Sequence, residues 1–388
     1  MSASIENPDP ERIARESDAL HARVRAFARG EAAETDDFER LALDIARFQA
    51  RWSPGFRRLV EARSPGLDRL DAIPAVPSDA FRLTRVAMHP PELDAVSFVT
   101  SGTTGSARGS HAMRTTRTYR ELSLSFGKRA LASAWPGRRV VVALAPPPGE
   151  PTSSSLGFMM RAFMQELDGR ALAVDPSGAE FDPESSGRWL ASTSGVDIGS
   201  LRRAALVAQE RQEPLLVLAT SFALVLLLDA LAGAKIPAPK RTVVMQTGGF
   251  KGRTRSVEPD RLRRAVARAF RIPPAQVIGE YGMTELSSQL YEGTLPGGAL
   301  DGEPGVYLEP PWLRVVPVDP ATLKPLAQGK TGLARIVDLG NVDSAVAIVV
   351  QDLVRRRGGG IELLGRRPGA PARGCSLAVE ALVQGHAD

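Results

Sequence analysis

Val96-Ser97-Phe98-Val99 leads into Thr100-Ser101-Gly102-Thr103-Thr104-Gly105-Ser106-Ala107-Arg108-Gly109-Ser110-His111, and the reading of this stretch decides the fold. The first four residues predict a short strand. The hydroxyls and glycines that follow are built to turn tightly and to offer backbone N–H groups and hydroxyls to an anion. Phosphate is the natural candidate. No Gly-Lys-Ser or Gly-Lys-Thr closes the stretch, so it is not the P-loop of ordinary NTPases, and it lacks the Gly-x-Gly-x-x-Gly spacing of dinucleotide sites. Taken alone, it fits a polar turn between two core elements equally well.

Outward from this stretch the pattern is one of strands and helices in alternation. Upstream, Asp9-Pro10-Glu11 is a cap, a proline and an early acidic residue in the order a helix start prefers, and helical periodicity covers Pro10 to Arg29 and Asp37 to Trp52. A helical lead-in is predicted, continuing through Phe56 to Ser64. Downstream, strands are predicted at Arg139–Ala145, Leu215–Ala219, Thr242–Gln246 and Gln276–Gly279. Helices are predicted at Leu156–Met164, Leu201–Arg211, Phe222–Leu231 and Asp260–Phe270. Such alternation implies a mostly parallel sheet covered on both faces, an α/β fold.

After Gly293 the texture changes. Trp312–Val318, Gly332–Leu339 and Ala345–Val350 are short β runs with turn signals between them, which predicts an antiparallel β subdomain. Arg355-Arg356-Arg357-Gly358-Gly359-Gly360 reads as a flexible tip and Ile361–Leu364 as a last strand. The expected division is 1–75 helical lead-in, 76–295 α/β core, 296–354 β subdomain and 355–388 a short C-terminal segment.

At 388 residues, with 43% hydrophobic and 24% charged residues, the composition is that of a globular protein able to bury a core. Net charge is +5, almost all of the positive charge being arginine. The densest basic cluster, from Lys251 to Arg271, overlaps a helical repeat of Leu262, Ala265, Val266, Ala269 and Phe270. Its arginines are therefore expected on a solvated face, not along a nucleic-acid backbone. Leu215 to Ala232 is interrupted by Thr220, Ser221 and Asp229 and reads as strand plus buried helix, not as a membrane span. The N-terminal residues show neither the basic nor the apolar region of a secretory signal, so a cytoplasmic protein is expected. The single cysteine, Cys375, can form no intramolecular disulfide and no zinc site by itself.

A second signature, Gly279-Glu280-Tyr281-Gly282-Met283-Thr284-Glu285, falls at the end of a predicted strand, where ligands of open α/β sheets bind. With the Thr-Ser-Gly-Thr-Thr-Gly stretch, it resembles the motifs of the adenylate-forming enzymes. The resemblance implies that Thr100, Ser101, Gly102, Thr103, Thr104 and Gly105 hold phosphate and that Tyr281 and Gly282 lie against adenine. It further implies that Thr284 contacts the α-phosphate and Glu285 helps hold Mg²⁺. Asp352, expected at a strand end, resembles the aspartate that accepts both ribose hydroxyls. Gly365-Arg366 resembles the motif that opens the C-terminal region, so Arg366 is expected at phosphate or ribose. ATP and Mg²⁺ are the implied cofactors.

One departure selects a branch. Most relatives carry a longer tail after the ribose aspartate, ending in a lysine that stabilises the adenylation transition state. Here no lysine lies beyond Lys330 and the chain stops at Asp388. This strongly truncated C-terminal region, with Gly248-Gly249-Phe250-Lys251-Gly252 and Arg373-Gly374-Cys375-Ser376, resembles the LuxE-like acyl-protein synthetases. That resemblance covers about Pro77 to Leu382 and implies activation of a fatty acid as acyl-AMP, then transfer to a C-terminal cysteine and on to a partner reductase.

A thiolate is the most nucleophilic side chain near neutral pH, so Cys375 suits the acceptor role, although a lone cysteine is more often a small buried hydrophobe. His111 and Lys251 are the catalytic candidates to replace the missing lysine's charge, or else surface residues. Arg108 stands where many relatives have a phosphate-gripping lysine. Ser153–Met160 and Thr220–Phe222 are possible walls of an acyl pocket or ordinary core. Two other readings stay open: a ligase that hands its acyl group to coenzyme A, an amine or a carrier protein, and a nucleotide-binding subunit without catalysis that holds an acyl reductase.

Overall fold

The computed structural model describes residues 9–63, 66–100, 109–147, 149, 153–168, 188–192, 195–248 and 258–368. Its spine is an eleven-stranded sheet. Four strands run parallel, in the order Val140–Leu144, Leu215–Thr220, Thr242–Thr247 and Val277–Tyr281. From Val277–Tyr281 the sheet continues antiparallel through Leu290–Glu292, Val306–Leu308, Gly360–Arg366, Ala347–Arg357, Thr331–Asp338 and Leu313–Val318. Val76–Pro77 joins it as a short parallel partner of Ala347–Arg357. The α/β class expected from the sequence is what the chain adopts, and the antiparallel strands are hydrogen-bonded into the same sheet as the parallel ones.

The parallel strands are apolar at nearly every position because both of their faces are covered, and the two-residue period sorts their side chains between two cores. Val140, Val142, Leu144, Leu215, Val217 and Val244 meet the helices Ile198–Glu210, Ser221–Leu231 and Pro259–Phe270. Val141, Ala143, Leu216, Leu218, Val243 and Met245 face the other way. That second core also takes in Arg117–Leu131 and Ser155–Leu167, two helices whose contact has little room: a Cβ on Gly127 would lie 2.8 Å from Phe163 Cε1 and 3.1 Å from Tyr291 Oη.

The N-terminal helices form as their caps dictate. Asp9 accepts from the Glu11 N–H at 3.0 Å ahead of Pro10–Arg29, and Gly30 closes that helix at φ 74°, where a residue without Cβ fits best. Asp37 caps Phe38–Trp52 through the Arg40 N–H at 2.7 Å. Among the described residues no helix is long and apolar enough to cross a membrane.

Three local expectations are corrected. Asp352 lies within the strand Ala347–Arg357, not at its end, because the strand continues six residues past Gln351 with Arg355 and Arg357 paired to Glu362 across the sheet. The Arg355–Gly360 segment is accordingly a tight hairpin, with Gly358 at φ 54° in its turn. Arg263 is not on the solvated face of its helix. It is buried, donating to the Val277 carbonyl at 2.7 Å and to Glu292 at 2.5 Å, while Arg261, Arg264 and Arg268 are exposed as expected.

Glu292 is itself fully buried and also accepts from the Gly279 N–H at 2.6 Å and the Gly305 N–H at 2.5 Å, so Arg263 neutralises a carboxylate that holds three strands in place. Removing one partner of such a pair leaves an uncompensated buried charge. Arg263→Ala is expected to lower unfolding stability by about 3–5 kcal/mol, read from the midpoint of urea denaturation; a loss within 1 kcal/mol would mean that the pair contributes little.

Candidate active site

The phosphate-loop-like stretch is closed at its base as a hairpin. Val96–Val99 pairs antiparallel with Ser110–Met113, and Thr100 is tied to Gly109 twice: the Thr100 N–H donates to the Gly109 carbonyl at 2.8 Å and Thr100 Oγ1 accepts from the Gly109 N–H at 2.8 Å. A Cβ on Gly109 would sit 3.1 Å from both the Phe81 carbonyl and Thr100 Oγ1, so glycine suits this approach. Ser101, Gly102, Thr103, Thr104, Gly105 and Arg108 lie outside the described residues, as do Lys251 and Cys375.

His111, on the returning strand, leaves the hairpin's neighbourhood and reaches the second signature. Its Nδ1 is 2.7 Å from the Thr284 carbonyl oxygen and its Nε2 2.9 Å from Ser344 Oγ. A carbonyl only accepts, so Nδ1 carries the proton, and in the neutral ring Nε2 accepts from the Ser344 hydroxyl. Phe81 packs edge-on against the imidazole at 5.5 Å. Burial pushes the His111 pKa down to about 4, against the opposing effects of the Thr284 carbonyl and Asp343. His111 is therefore uncharged near neutral pH and does not supply the cation that the sequence led one to expect of it.

Thr284 and Glu285 are buried at the mouth of the parallel half. Their backbone is fixed from a second turn, Leu339–Val346. Asn341 Nδ2 donates to the Glu285 carbonyl at 2.9 Å and to the Ala345 carbonyl at 3.0 Å, while its Oδ1 accepts from Ser287 Oγ at 2.8 Å. Asp338 accepts from the Ser287 N–H at 2.9 Å and from Ser288 Oγ at 2.7 Å. These contacts were not foreseen: Asp338, Asn341, Asp343 and Ser344 belong to no motif, and only the density of polar residues inside an apolar run marked them out.

Tyr281 ends its strand with its hydroxyl donating to Asp352 Oδ2 at 2.8 Å, and its ring meets Tyr307 edge-on at 6.4 Å. Burial and the adjacent Asp352 raise the tyrosine's pKa well above its ordinary range, so the hydroxyl stays protonated. Arg366, directly across the sheet from Asp352, holds Nε 3.6 Å from its Oδ1. Tyr281, Asp352 and Arg366 thus meet at one place, with Gly282 beginning the turn toward Thr284. A Cβ on Gly282 would lie 2.6 Å from Glu280 Oε1, so this position accepts no larger residue without moving that carboxyl.

Among the described residues no group of three or more His, Cys, Asp or Glu side chains is placed to hold a metal ion. A space of about 10 Å³ beside His111, lined by Tyr119, Ser287, Asn341 and Asp343, is the size of a single water and is no substrate chamber. Of the possible acyl-pocket walls, Phe158 packs on Phe98 and Tyr119 at 5.6 and 5.5 Å, and Thr220 caps the helix that begins at Ser221.

The chain aligns in space with solved structures of 2-hydroxyisobutyryl-CoA ligase. One, in complex with 2-HIB-AMP in the post-adenylation state, has a TM-score of 0.58 at 12% identity, covering 94% of this chain and 73% of that one. Another, an open conformation with 2-HIB-AMP and CoA, has a TM-score of 0.55 at 13% identity over 94% of this chain and 81% of that one. The chain has the adenylate-forming fold. Within that fold its sequence resembles the LuxE-like acyl-protein synthetases, being 28% identical over 149 residues to the long-chain-fatty-acid–luciferin-component ligase of Vibrio harveyi. The match spans 36% of this chain and 37% of the relative's length. No family model matches the chain.

In this adenylate-forming fold burial holds two acids above the ordinary carboxylate range, Asp338 at about 6 and Glu280 higher still. Glu280 accepts from the Thr247 hydroxyl, and burial, opposed by that bond, pushes its pKa up to about 7 from 4.5. Between those two values the folded protein keeps a proton that the unfolded chain has released, so Glu280 makes stability fall as pH rises from 4.5 to 7. Glu280→Gln removes this dependence. Relative to the wild type it is expected to gain up to about 3 kcal/mol between pH 4.5 and pH 8, in urea denaturation at each pH. A difference independent of pH would show that Glu280 titrates as an ordinary carboxylate.

Proposed function

We propose that the protein activates a carboxylic acid of the fatty-acid class as its acyl-adenylate and then takes the acyl group onto the Cys375 thiol, a ligase of the acid–thiol type. The observation that carries this reading is the His111 Nδ1 hydrogen bond to the Thr284 carbonyl. It ties the strand leaving a phosphate-loop-like hairpin to the turn bearing Thr284 and Glu285, so two motifs far apart in the chain address one region. The resemblance to the fatty-acid ligase of Vibrio harveyi supports the choice of acid, and its partial coverage leaves the acceptor to experiment.

In the first step a carboxylate oxygen of the acid attacks the α-phosphorus of ATP. The bond to the bridging oxygen breaks, and pyrophosphate leaves with that electron pair. Asp352 has a further lone pair on each oxygen for the ribose hydroxyls, while Tyr281 holds one oxygen in place and offers its ring to adenine. Thr284 and the hydroxyls of Thr100, Ser101, Thr103 and Thr104 address phosphate oxygens. Mg²⁺ held by Glu285 would offset charge on the phosphates. In the second step the Cys375 thiolate attacks the acyl carbon, a thioester forms and AMP departs, leaving an acyl group for a reductase or carrier partner in the same cytosolic compartment.

Incubation with radiolabelled fatty acid, ATP and Mg²⁺ is expected to give a protein-bound label released by hydroxylamine and lost in Cys375→Ser. Label retained in Cys375→Ser would place the acceptor elsewhere. Pyrophosphate release without any protein label would favour coenzyme A, an amine or a carrier protein as acceptor. ATP binding without pyrophosphate release for any acid would leave a nucleotide-binding subunit and remove the catalytic reading.

A further inference from the structure

The chain contains four histidines, and among the described residues His111 is the one that bonds the Thr284 turn. It is buried, its two ring nitrogens are both occupied, and its partners come from two separate segments: the Thr284 carbonyl from the acid turn and Ser344 from the Leu339–Val346 turn. Asn341 performs the matching task one residue further on, donating to the Glu285 carbonyl. The carbonyls of the two residues assigned to phosphate and Mg²⁺ are thereby each held by a side chain from a distant part of the sequence.

We propose that His111 is a positioning residue for adenylate formation, acting as a neutral Nδ1–H imidazole that sets where Thr284 and Glu285 stand relative to the phosphate hairpin. This rests on the functional reading above and refines it: His111 acts through Thr284 and touches neither substrate nor phosphate. The arrangement accounts for three features together. The Thr284 carbonyl, which only accepts, sets the tautomer, and Ser344 completes it by donating to Nε2. Phe81 holds the ring plane with its side chain, and its backbone carbonyl lies where a Cβ on Gly109 would meet it at 3.1 Å, so one residue borders both the ring and the hairpin base. Asn341, bonded to Ala345 and Glu285 at once, couples the turn carrying Ser344 to the turn carrying Thr284. A shift of the phosphate hairpin therefore moves the acid turn with it, which keeps Thr284 and Glu285 in register with the triphosphate.

The test is acid-dependent ATP–pyrophosphate exchange by the full chain, with kcat and the KM for ATP measured separately, together with the thermal unfolding midpoint. His111→Phe keeps the ring against Phe81 and removes the N–H. It is expected to lower kcat on the order of 10²-fold, the cost of a displacement near 1 Å at a reacting centre, with the KM for ATP within about 3-fold of wild type. His111→Asn restores a donor at the position of Nδ1 and is expected to recover most of that loss. Ser344→Ala, a milder change, removes only the hydroxyl that donates to Nε2, leaving that buried ring nitrogen unpaired, and is expected to lower kcat about tenfold.

Equal losses in His111→Phe and His111→Asn that follow their unfolding midpoints, or Ser344→Ala with unchanged kcat, would overturn the positioning role while leaving the functional reading intact. Absence of exchange in the wild type with every acid would overturn the functional reading, and this proposal with it. Should His111→Phe fail to fold, the His111→Asn and Ser344→Ala values decide the matter alone.

Discussion

A buried carbonyl oxygen needs a donor, and in this chain the most consequential ones, those of Thr284 and Glu285, find theirs on His111 and Asn341. The requirement spreads outward. For Asn341 to face Glu285, the Leu339–Val346 turn must be held, and the N-terminal helices do this: Gln49 donates to the Asn341 and Val342 carbonyls and accepts from the Val346 N–H, while Ser17 and His21 bond the Asp343 carboxylate. Burial alone would raise the Asp343 pKa, but the bonds from His21 and Ser17 and the charge of Arg114 bring it down to about 2. It is therefore a fixed anion, and the N-terminal helices are part of the support of the site.

The strand–helix alternation was legible because each element carries its own signal. The parallel strands are bounded apolar runs, and Asp9-Pro10-Glu11 declares a helix start that the structure places at Pro10. What escaped lacked such a signal. Arg117–Leu131 begins at Thr116 with no side-chain cap and no acidic residue in its first turn. Ser110–Met113 is a strand whose His111 is polar because it meets other polar groups inside the protein. The same holds at the site: Tyr281, Thr284, Asp352 and Arg366 could be read from motifs, but Asn341, Asp343 and Ser344 matter only through partners tens to hundreds of residues away. A pattern along the chain does not encode who meets whom across it.

The excess of arginine over lysine has a structural account as well. Arg139 donates to the Ala132 and Trp135 carbonyls at 3.0 and 2.6 Å, Arg335 to the Leu70 and Ile73 carbonyls at 3.0 and 2.8 Å, and Arg263 to Val277. Each lies buried where the end of a helix, a short turn or the start of a strand brings carbonyls within reach. A planar group with five donors meets that need, and an ammonium on a flexible stem does so less well. Part of the positive charge thus faces inward, which is why a basic composition here does not imply a nucleic-acid surface.

The contact between Tyr281 and Asp352 constrains the shape of the whole sheet. In hydrogen-bonding order their strands are separated by three others, Leu290–Glu292, Val306–Leu308 and Gly360–Arg366, yet the tyrosine hydroxyl lies 2.8 Å from the carboxylate. Adjacent strands are roughly 4.8 Å apart, so in a flat sheet these two would be separated by about 19 Å. The antiparallel half must therefore curl back over the carboxyl ends of the parallel half. The short intervening strands, three residues each for the first two, permit that curl, and the register irregularity between Asp352 and Val354 lets the long strand bend at the point of contact. Val277–Tyr281, with a parallel neighbour on one side and an antiparallel one on the other, sits at the fold's seam. The acidic and hydroxyl residues of the second signature occupy that seam because it is where curvature brings distant strands to one point.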